Sequence, residues 1–364
     1  MERYVGLDGH GKESVYVIQD EAGNIVGEGK VNSTREGLLV LRDRHALPAG
    51  TPVALESGTV AFFLAGCLAD LGLRPLIIDA REVRMKATRP FQKTDRRDAL
   101  ELCEGLRRGY YRCIVAVPPT SIRDLRETLS RRRHFVRLKT AQVNAVKRLL
   151  RAAGLTSLTR SLQAVSGWAK LSAALEDAPR LQRFVRCHRE IWGSAQEQVE
   201  ALEVEIKELC RPWKAQLDNL MTVPGVGPIV ASTALAVIFD ARRFPSAKHV
   251  ASYAGLVPGV DQSGDRNYSG HIVRRGSGEL RSMLCEAAQH ARRVDNPLNP
   301  FFATICAKRG HRMAIVAVAH RLCRILYAIL RDGVPFTLEK AGVEAGRFEK
   351  KSVRRYRRLA MVSV

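Results

Sequence analysis

The segment YVGLDGHGKESVYVIQ, residues 4–19, indicates the fold class because it contains two β-strand patterns around a glycine-rich turn. Tyr4–Asp8 is a short apolar run, and Ser14–Gln19 alternates at the period of two that is typical of a strand. An Ala-Gly turn follows, and we predict a third short strand at Asn24–Val31. The chain therefore begins with consecutive strands, which favours a sheet-based N-terminal domain.

The residues that follow alternate between helix and strand patterns. The predicted elements are a helix from Thr34 to about Arg44, a strand at Pro52–Glu56, a helix at Thr59–Leu71, a strand at Arg74–Asp79 and a helix from Asp95 to about Arg108, capped by Thr94. The resulting order, β-β-β-α-β-α-β-α, suits an α/β sheet of the ribonuclease H type.

The middle of the chain is predicted to be helical. Apolar residues fall on heptad a and d positions within 122–150 and again within 192–213. This pattern indicates a coiled coil or a helical hairpin, and an ordinary amphipathic core helix has it as well. The composition changes again at about Leu217. We expect four segments: an α/β domain at 1–115, a helical, coiled-coil linker at 116–216, a mainly α domain at 217–345 and a basic tail at 346–364.

Composition points to a folded, strongly basic protein. The 364 residues are 46% hydrophobic, and 59 Lys and Arg against 37 Asp and Glu give a net charge of +22. Basic residues cluster within 81–112, 121–151 and 347–358, which favours a nucleic-acid partner over a merely solvated surface. The consecutive arginines Arg131, Arg132 and Arg133 are candidate phosphate contacts.

Other sequence features bear on the compartment. The apolar runs are too short to span a membrane, and the N-terminus has no apolar signal region. The eight cysteines have no C-x-x-C spacing, so we expect reduced thiols rather than a disulfide framework. These features predict a cytoplasmic protein without a membrane partner.

Four carboxylates are predicted to converge at one edge of the sheet. Asp8 ends the first strand and Glu56 ends the fourth, while Asp95 and Asp98 lie three residues apart at the start of a helix. Clustered carboxylates repel each other unless cations lie between them, and their oxygens suit Mg²⁺ or Mn²⁺. Taken alone, each acid is better explained as a turn residue or a helix-capping residue, but the four together at these positions favour a metal site.

The segment MTVPGVGPIVAS, residues 221–232, has the pattern of a helix-hairpin-helix. Gly225 and Gly227 would let the backbone turn tightly and bring its N–H groups to a phosphate at a helix start. A plain corner between two helices, with glycines needed only for packing, fits the same sequence.

A Gly- and Ser-rich segment at 261–278 contains a candidate nucleophile, Ser263. Four arginines nearby could stabilise charge on a phosphoryl group; these are Arg266, Arg274, Arg275 and Arg281. Composition alone favours a turn serine in a polar, flexible stretch, because a serine hydroxyl is a weak nucleophile without assistance.

Taken together, these motifs resemble the DEDD-type transposases of bacterial insertion sequences, also described as bridge-RNA-guided recombinases. The resemblance covers essentially the whole chain. Its carriers are VGLD at 5–8, ALESGT at 54–59, KTDRRDA at 93–99, VPGVGPIVAS at 223–232, SYAGLVP at 252–258, QSG at 262–264 and GHIVRRGSGELR at 270–281. One departure is that family members often have Lys three residues after the first Asp, where this chain has Gly11, followed by Lys12.

The resemblance implies a RuvC-like N-terminal domain in which Asp8, Glu56, Asp95 and Asp98 are catalytic and hold Mg²⁺. It implies that Ser263 attacks DNA to form a covalent 5′-phosphoserine intermediate. The partners it implies are donor and target DNA and a noncoding guide RNA encoded by the element. It also implies dimers that pair into a tetramer, with active sites built from the carboxylates of one subunit and the serine of another.

Two further hypotheses remain open at the level of sequence. A metal-dependent, structure-specific nuclease resembling a junction resolvase would use the carboxylates and water, and leave the serine segment unexplained. A non-catalytic RNA- or DNA-binding protein would need only the positive charge and the glycine hairpin.

Overall fold

The computed structural model describes residues 2–86, 94–159, 162–263, 266–273 and 276–338, and over residues 260–271 it describes the backbone. The chain forms two compact units, Met1–Pro118 and Pro119–Val364. The predicted basic tail at 346–364 lies outside the described residues, and the predicted division into four segments remains a prediction.

The first unit is built on a five-stranded sheet. Its strands are β1 (Arg3–Gly9), β2 (Glu13–Asp20), β3 (Ile25–Asn32), β4 (Pro52–Glu56) and β5 (Arg74–Ile78). Its helices are α1 (Arg35–Arg44), α2 (Ala61–Asp70), α3 (Ala80–Lys86) and α4 (Asp95–Arg107). The predicted order of elements is confirmed, with the short helix α3 as an addition that the sequence analysis did not predict.

The strands lie side by side in the order β3-β2-β1-β4-β5. Strand β2 is antiparallel to both β1 and β3, whereas β4 is parallel to both β1 and β5. A mixed α/β sheet of this kind is consistent with the predicted ribonuclease H type.

The two faces of β1 explain where the helices pack. Val5 and Leu7 are buried in the core that also contains leucines of α1 and α2. Gly6 points to the opposite face, where a Cβ atom would lie 2.0 Å from the carbonyl oxygen of Ala99 and 2.5 Å from the amide nitrogen of Cys103. Because both atoms belong to the backbone of α4, only glycine at position 6 lets α4 lie so close to the sheet.

The second unit is mainly helical, as predicted. Its helices are α5 (Thr120–Ala152), α6 (Val165–Ala173), α7 (Pro179–Leu209), α8 (Lys214–Met221), α9 (Pro228–Ile238), α10 (Ala247–Tyr253), α11 (Gly278–Ala288), α12 (Asn299–Arg309) and α13 (His311–Asp332). A β-hairpin of β6 (Pro258–Ser263) and β7 (Arg266–Ile272) interrupts them.

The hairpin corrects the expectation of an irregular polar stretch around Ser263. Val260, Asp261 and Gln262 pair in antiparallel register with residues of β7. The backbone hydrogen bonds of such a ladder order a segment whose small residues give little strand signal in the sequence.

The long helices α5 and α7 pack against each other in antiparallel orientation. Thr128 donates a hydrogen bond to Glu205 (3.1 Å), and His188 hydrogen-bonds Gln142 (2.7 Å) nearer the other end of the pair. Arg132, which interrupts the apolar seam in the sequence, forms an ion pair with Glu203 across it (2.6 Å). This packing accounts for the two apolar stripes, and the coiled-coil interpretation remains a prediction.

One described helix, α13, is long and apolar enough to cross a membrane by length and composition. Its side chains Leu322, Cys323 and Leu326 are buried in the main core of the second unit. A central core helix has the same composition, so this feature adds no membrane partner.

Candidate active site

The first part of the site is set by the register of two parallel strands. Leu7 of β1 pairs with Leu55 of β4, so the next residues, Asp8 and Glu56, adjoin at the ends of their strands. Because side chains alternate along a strand, Asp8 lies on the same face of the sheet as Gly6. This is the face that α4 covers.

The second part of the site is the first turn of α4. Thr94 caps this helix, and its side chain accepts a hydrogen bond from the backbone N–H of Arg97 (3.3 Å). Asp95 and Asp98 lie in the first turn, where negative charge is stabilised by the helix dipole. The close contact of α4 with Gly6 brings this turn to the edge of the sheet that carries Asp8.

The structure brings Asp8 and Asp95 together around a third residue, His10. The Nε2 atom of His10 lies 3.1 Å from an oxygen of Asp8 and 3.5 Å from an oxygen of Asp95. One donor atom from each of the three residues lies within 4.8 Å of the others. Among the described residues, this group has the composition and spacing to hold a metal ion.

The group contains two of the four predicted carboxylates and one residue that the sequence analysis did not single out. Glu56 lies on β4, which pairs with β1, and Asp98 lies on α4, but neither is part of the three-residue group. His10 has one recognisable signal, since it lies in the turn two residues after a strand-ending Asp. Both carboxylate oxygens and an imidazole nitrogen are common ligands of divalent cations, so the donor set fits such an ion.

The negative charge of this region also acts on Tyr111. Burial raises the pKa of the Tyr111 hydroxyl, and the nearby carboxylates of Glu101, Glu82 and Glu56 raise it further. The Glu56 carboxylate therefore lies close enough to Tyr111 to raise its pKa, and a cation bound near Glu56 would offset that negative charge.

The two glycines of the predicted helix-hairpin-helix differ in their surroundings. Gly225 has a φ of +93°, and a Cβ there would lie 2.8 Å from the carbonyl oxygen of Ala287 and 2.9 Å from the Cβ of His290. Glycine is thus needed at 225 for backbone conformation and packing. Gly227 precedes α9 as its N-cap, and a Cβ there would meet nothing within 4 Å. A phosphate contact at either glycine remains a prediction.

The three consecutive arginines of α5 have carboxylate neighbours. Arg131 forms an exposed ion pair with Glu127 (2.6 Å) one helical turn away, while the pair of Arg132 with Glu203 is more enclosed. Burial raises the pKa of the Glu279 carboxyl, and the charge of Arg133 opposes this. Their contacts with nucleic acid remain predictions.

The other predicted phosphate contacts lie in or after the hairpin. Arg281 donates a hydrogen bond to the carbonyl oxygen of Ala254 (3.0 Å), and Arg266 is the first residue of β7. Arg274 and Arg275 lie outside the described residues. None of the four has a role that the structure tests.

Ser263 is the last residue of β6, and its partner in the ladder is Arg266. The serine therefore belongs to the second unit, whereas Asp8, His10 and Asp95 belong to the first. The chain divides its candidate nucleophile and its candidate metal ligands between the two units.

Two transposase family models match this chain. A transposase family model of the DEDD, IS110 type matches residues 5–154, and a model described as the transposase IS116/IS110/IS902 family matches residues 217–303. Together they include the carboxylates, the glycine hairpin and Ser263.

Several curated relatives extend the similarity over most of the chain. A probable family 20 transposase of Pseudomonas aeruginosa is 28% identical over 76% of this chain and 83% of its own length. The transposase for insertion sequence element IS1111A of Coxiella burnetii is 25% identical over 83% of this chain and 84% of its own. A pilin gene-inverting protein of Moraxella lacunata is 36% identical over 35% of this chain and 41% of its own.

The mixed sheet and its carboxylate edge are consistent with a DEDD, ribonuclease H-like enzyme that acts on DNA. The chain belongs to the IS110/IS116/IS902 family of insertion-sequence transposases. Membership favours an enzyme over the non-catalytic nucleic-acid-binding protein.

Proposed function

We propose that this transposase cleaves and rejoins donor and target DNA through a covalent 5′-phosphoserine intermediate at Ser263. The observation that carries the proposal is the group of Asp8, His10 and Asp95 at the sheet edge, inside the matched DEDD region. Ser263 lies inside the second matched region, 217–303. In this proposal, a noncoding RNA encoded by the element guides the protein to its donor and target DNA. The net charge of +22 supports binding to both RNA and DNA.

In the serine step, an ester between Ser263 and the 5′ phosphate replaces the phosphodiester bond of the DNA, so the strand can be rejoined later. The Ser263 hydroxyl oxygen forms a bond to phosphorus while the bond from phosphorus to the 3′ oxygen breaks. The serine proton passes to a base, and the departing 3′ oxygen takes up a proton. Attack by a 3′ hydroxyl of another strand on the phosphoserine reverses the step and releases the serine.

The carboxylates would hold Mg²⁺, or Mn²⁺, through Asp8 and Asp95 with Glu56 and Asp98 beside them. Such an ion promotes deprotonation of the nucleophile and neutralises charge at the leaving oxygen. Asp8 is buried and anchors the site on β1, whereas Asp95 is exposed at the start of α4 and open to substrate.

The partition between two units supports a site assembled from more than one subunit. A homodimer that pairs into a tetramer would let the carboxylates of one subunit act with the Ser263 of another. Relatives described as pilin gene-inverting proteins support cutting followed by rejoining, because inversion of a DNA segment needs both.

A Ser263→Ala variant tests the covalent step, with Ser269→Ala in the paired strand β7 as the matched control. We expect the wild type and Ser269→Ala to form a protein–DNA adduct that survives denaturation, with the DNA joined at its 5′ phosphate. Ser263→Ala should form no adduct and should lose strand rejoining by at least a hundredfold.

Two results would contradict the proposal. Full cleavage by Ser263→Ala with free 5′ phosphate ends would show that water is the nucleophile, as in the junction-resolvase alternative. An adduct that persists in Ser263→Ala would place the nucleophile at another residue.

A further inference from the structure

His10 is held in position through its backbone. Its N–H donates to the carbonyl oxygen of Glu13 (3.2 Å), which closes the turn between β1 and β2. The Ser33 hydroxyl donates to the carbonyl oxygen of His10 (2.6 Å) and also lies 2.7 Å from the hydroxyl of Ser14. Because Ser14 and Ser33 are buried, the turn is fixed to the ends of β2 and β3.

The imidazole that this turn carries lies between two carboxylates from different elements. Its Nε2 atom is 3.1 Å from Asp8 on β1 and 3.5 Å from Asp95 on α4. Ligands in neighbouring positions around a small divalent ion, with bonds of about 2.1 Å, lie about 3 Å apart. The nitrogen therefore lies at nearly the spacing of a neighbouring ligand from each of the two oxygens, and all three atoms lie within 4.8 Å of one another.

We infer that His10 is a third protein ligand of the cation held by Asp8 and Asp95, and that it makes the site prefer Mn²⁺ to Mg²⁺. This inference rests on the proposed metal site and adds a nitrogen ligand to the carboxylates. Mg²⁺ favours oxygen ligands and binds imidazole poorly, whereas Mn²⁺ accepts both. Loss of the imidazole should therefore weaken Mn²⁺ binding more than Mg²⁺ binding.

A purely hydrogen-bonding role predicts a different result. If the ring only oriented Asp8 and Asp95, its removal would disturb the same two oxygens for either ion. The ratio of the two affinities would then stay constant. The selectivity between the two ions, rather than activity, distinguishes a ligand from an orienting residue.

The experiment is a titration of the full-length protein with Mn²⁺, followed by electron paramagnetic resonance, and a competition by Mg²⁺. The variants are His10→Ala and His10→Gln, and the control is His134→Ala on the exposed side of α5. The glutamine amide keeps a hydrogen-bond donor near the carboxylates, and circular dichroism confirms that each variant folds.

We expect both His10 variants to weaken Mn²⁺ binding at least tenfold while Mg²⁺ binding changes less than threefold, with His134→Ala unchanged. Equal losses for both ions, or no loss of Mn²⁺ affinity, would overturn the assignment of His10 as a ligand. Wild-type protein that binds neither ion, or binding that survives Asp8→Asn, would overturn the metal site itself. The two failures are thus distinct.

Discussion

Glu82 shows how a single buried carboxylate organises the first unit. Its oxygens accept hydrogen bonds from the backbone N–H groups of Arg112 (3.0 Å) and Cys113 (2.7 Å), and Lys86 forms an ion pair with it (2.9 Å). Burial alone would raise its pKa, but the Lys86 contact and the two N–H donors outweigh burial and lower the pKa to about 2. The carboxylate thus fixes the chain that follows α4 against α3.

We expect Glu82→Gln to destabilise the protein by about 2 kcal/mol at neutral pH, because the amide accepts fewer and weaker hydrogen bonds. The folded-state pKa lies below the unfolded value, so the stabilisation is present above about pH 4.5 and is lost as the pH falls toward 2. Thermal unfolding from pH 7 to 3 should show the gap between wild type and variant narrowing with acidification.

Asp70→Asn, at an exposed carboxylate of α2, is the charge-matched control and should leave the unfolding temperature unchanged. A gap that stays constant from pH 7 to 3 would contradict the lowered pKa of Glu82.

Individual site residues differ in how well the sequence predicts them. Asp8 could be placed because it ends an apolar strand, and Asp95 because Thr94 marks a helix start. His10 could not, since it lies in a glycine-rich turn without periodicity, and its proximity to Asp95 depends on how closely α4 packs on β1. Glu82 was missed for a similar reason, because its N–H donors come from a segment thirty residues later.

Two adjacent arginines on α5 differ in what they contact. Arg131 and its partner Glu127 are both mostly exposed, and such pairs contribute little to stability. Arg132 has a side chain only 19% exposed and reaches across to Glu203 on α7. One arginine is therefore available to phosphates, and the other joins two helices.

We expect Arg132→Ala to destabilise the second unit by about 1 kcal/mol, through loss of the ion pair and of the packing of its alkyl chain. Arg131→Ala should leave the unfolding temperature unchanged, weaken DNA binding and reduce the slope of log affinity against log salt by about one. Calorimetry and a salt series of binding measurements test both variants, each as the control for the other.

The contrary result is that Arg132→Ala binds DNA more weakly and keeps the unfolding temperature of the wild type. That result would show that the ion pair between Arg132 and Glu203 does not hold α5 and α7 together.

Elements with regular periodicity were predictable, and those defined by contacts were not. The strands of the first unit follow from alternation and apolar runs, and the long helices α5 and α7 from their stripes. The hairpin of β6 and β7 was missed because its residues are small and polar, so only the backbone ladder reveals it. Helix α3, at seven residues, is too short to show a helical period.

The net charge of +22 determines how nucleic-acid partners of this protein have to be tested. A protein this basic collects nucleic acid without specificity, and that binding weakens steeply as salt rises. RNA that remains after a high-salt wash is therefore the informative fraction.

We expect protein purified from cells that carry its native flanking DNA to retain one structured RNA after such a wash. The RNA should be near-stoichiometric, and its sequence should map to the flanking DNA. Sequencing of the retained RNA, with protein from cells lacking the flanks as the control, tests this. Heterogeneous RNA, or none, would contradict guidance and favour the nuclease alternative.

The packing of α4 on Gly6 has a consequence for the history of such elements. Mobile elements multiply as copies, and copies no longer under selection collect random substitutions. Any side chain at position 6 collides with the backbone of α4, so even an alanine there displaces the helix that carries Asp95. Gly66, whose added Cβ would meet nothing within 4 Å, can change freely. A copy that keeps Asp8, Glu56, Asp95 and Asp98 but has another residue at position 6 is therefore expected to encode an inactive transposase.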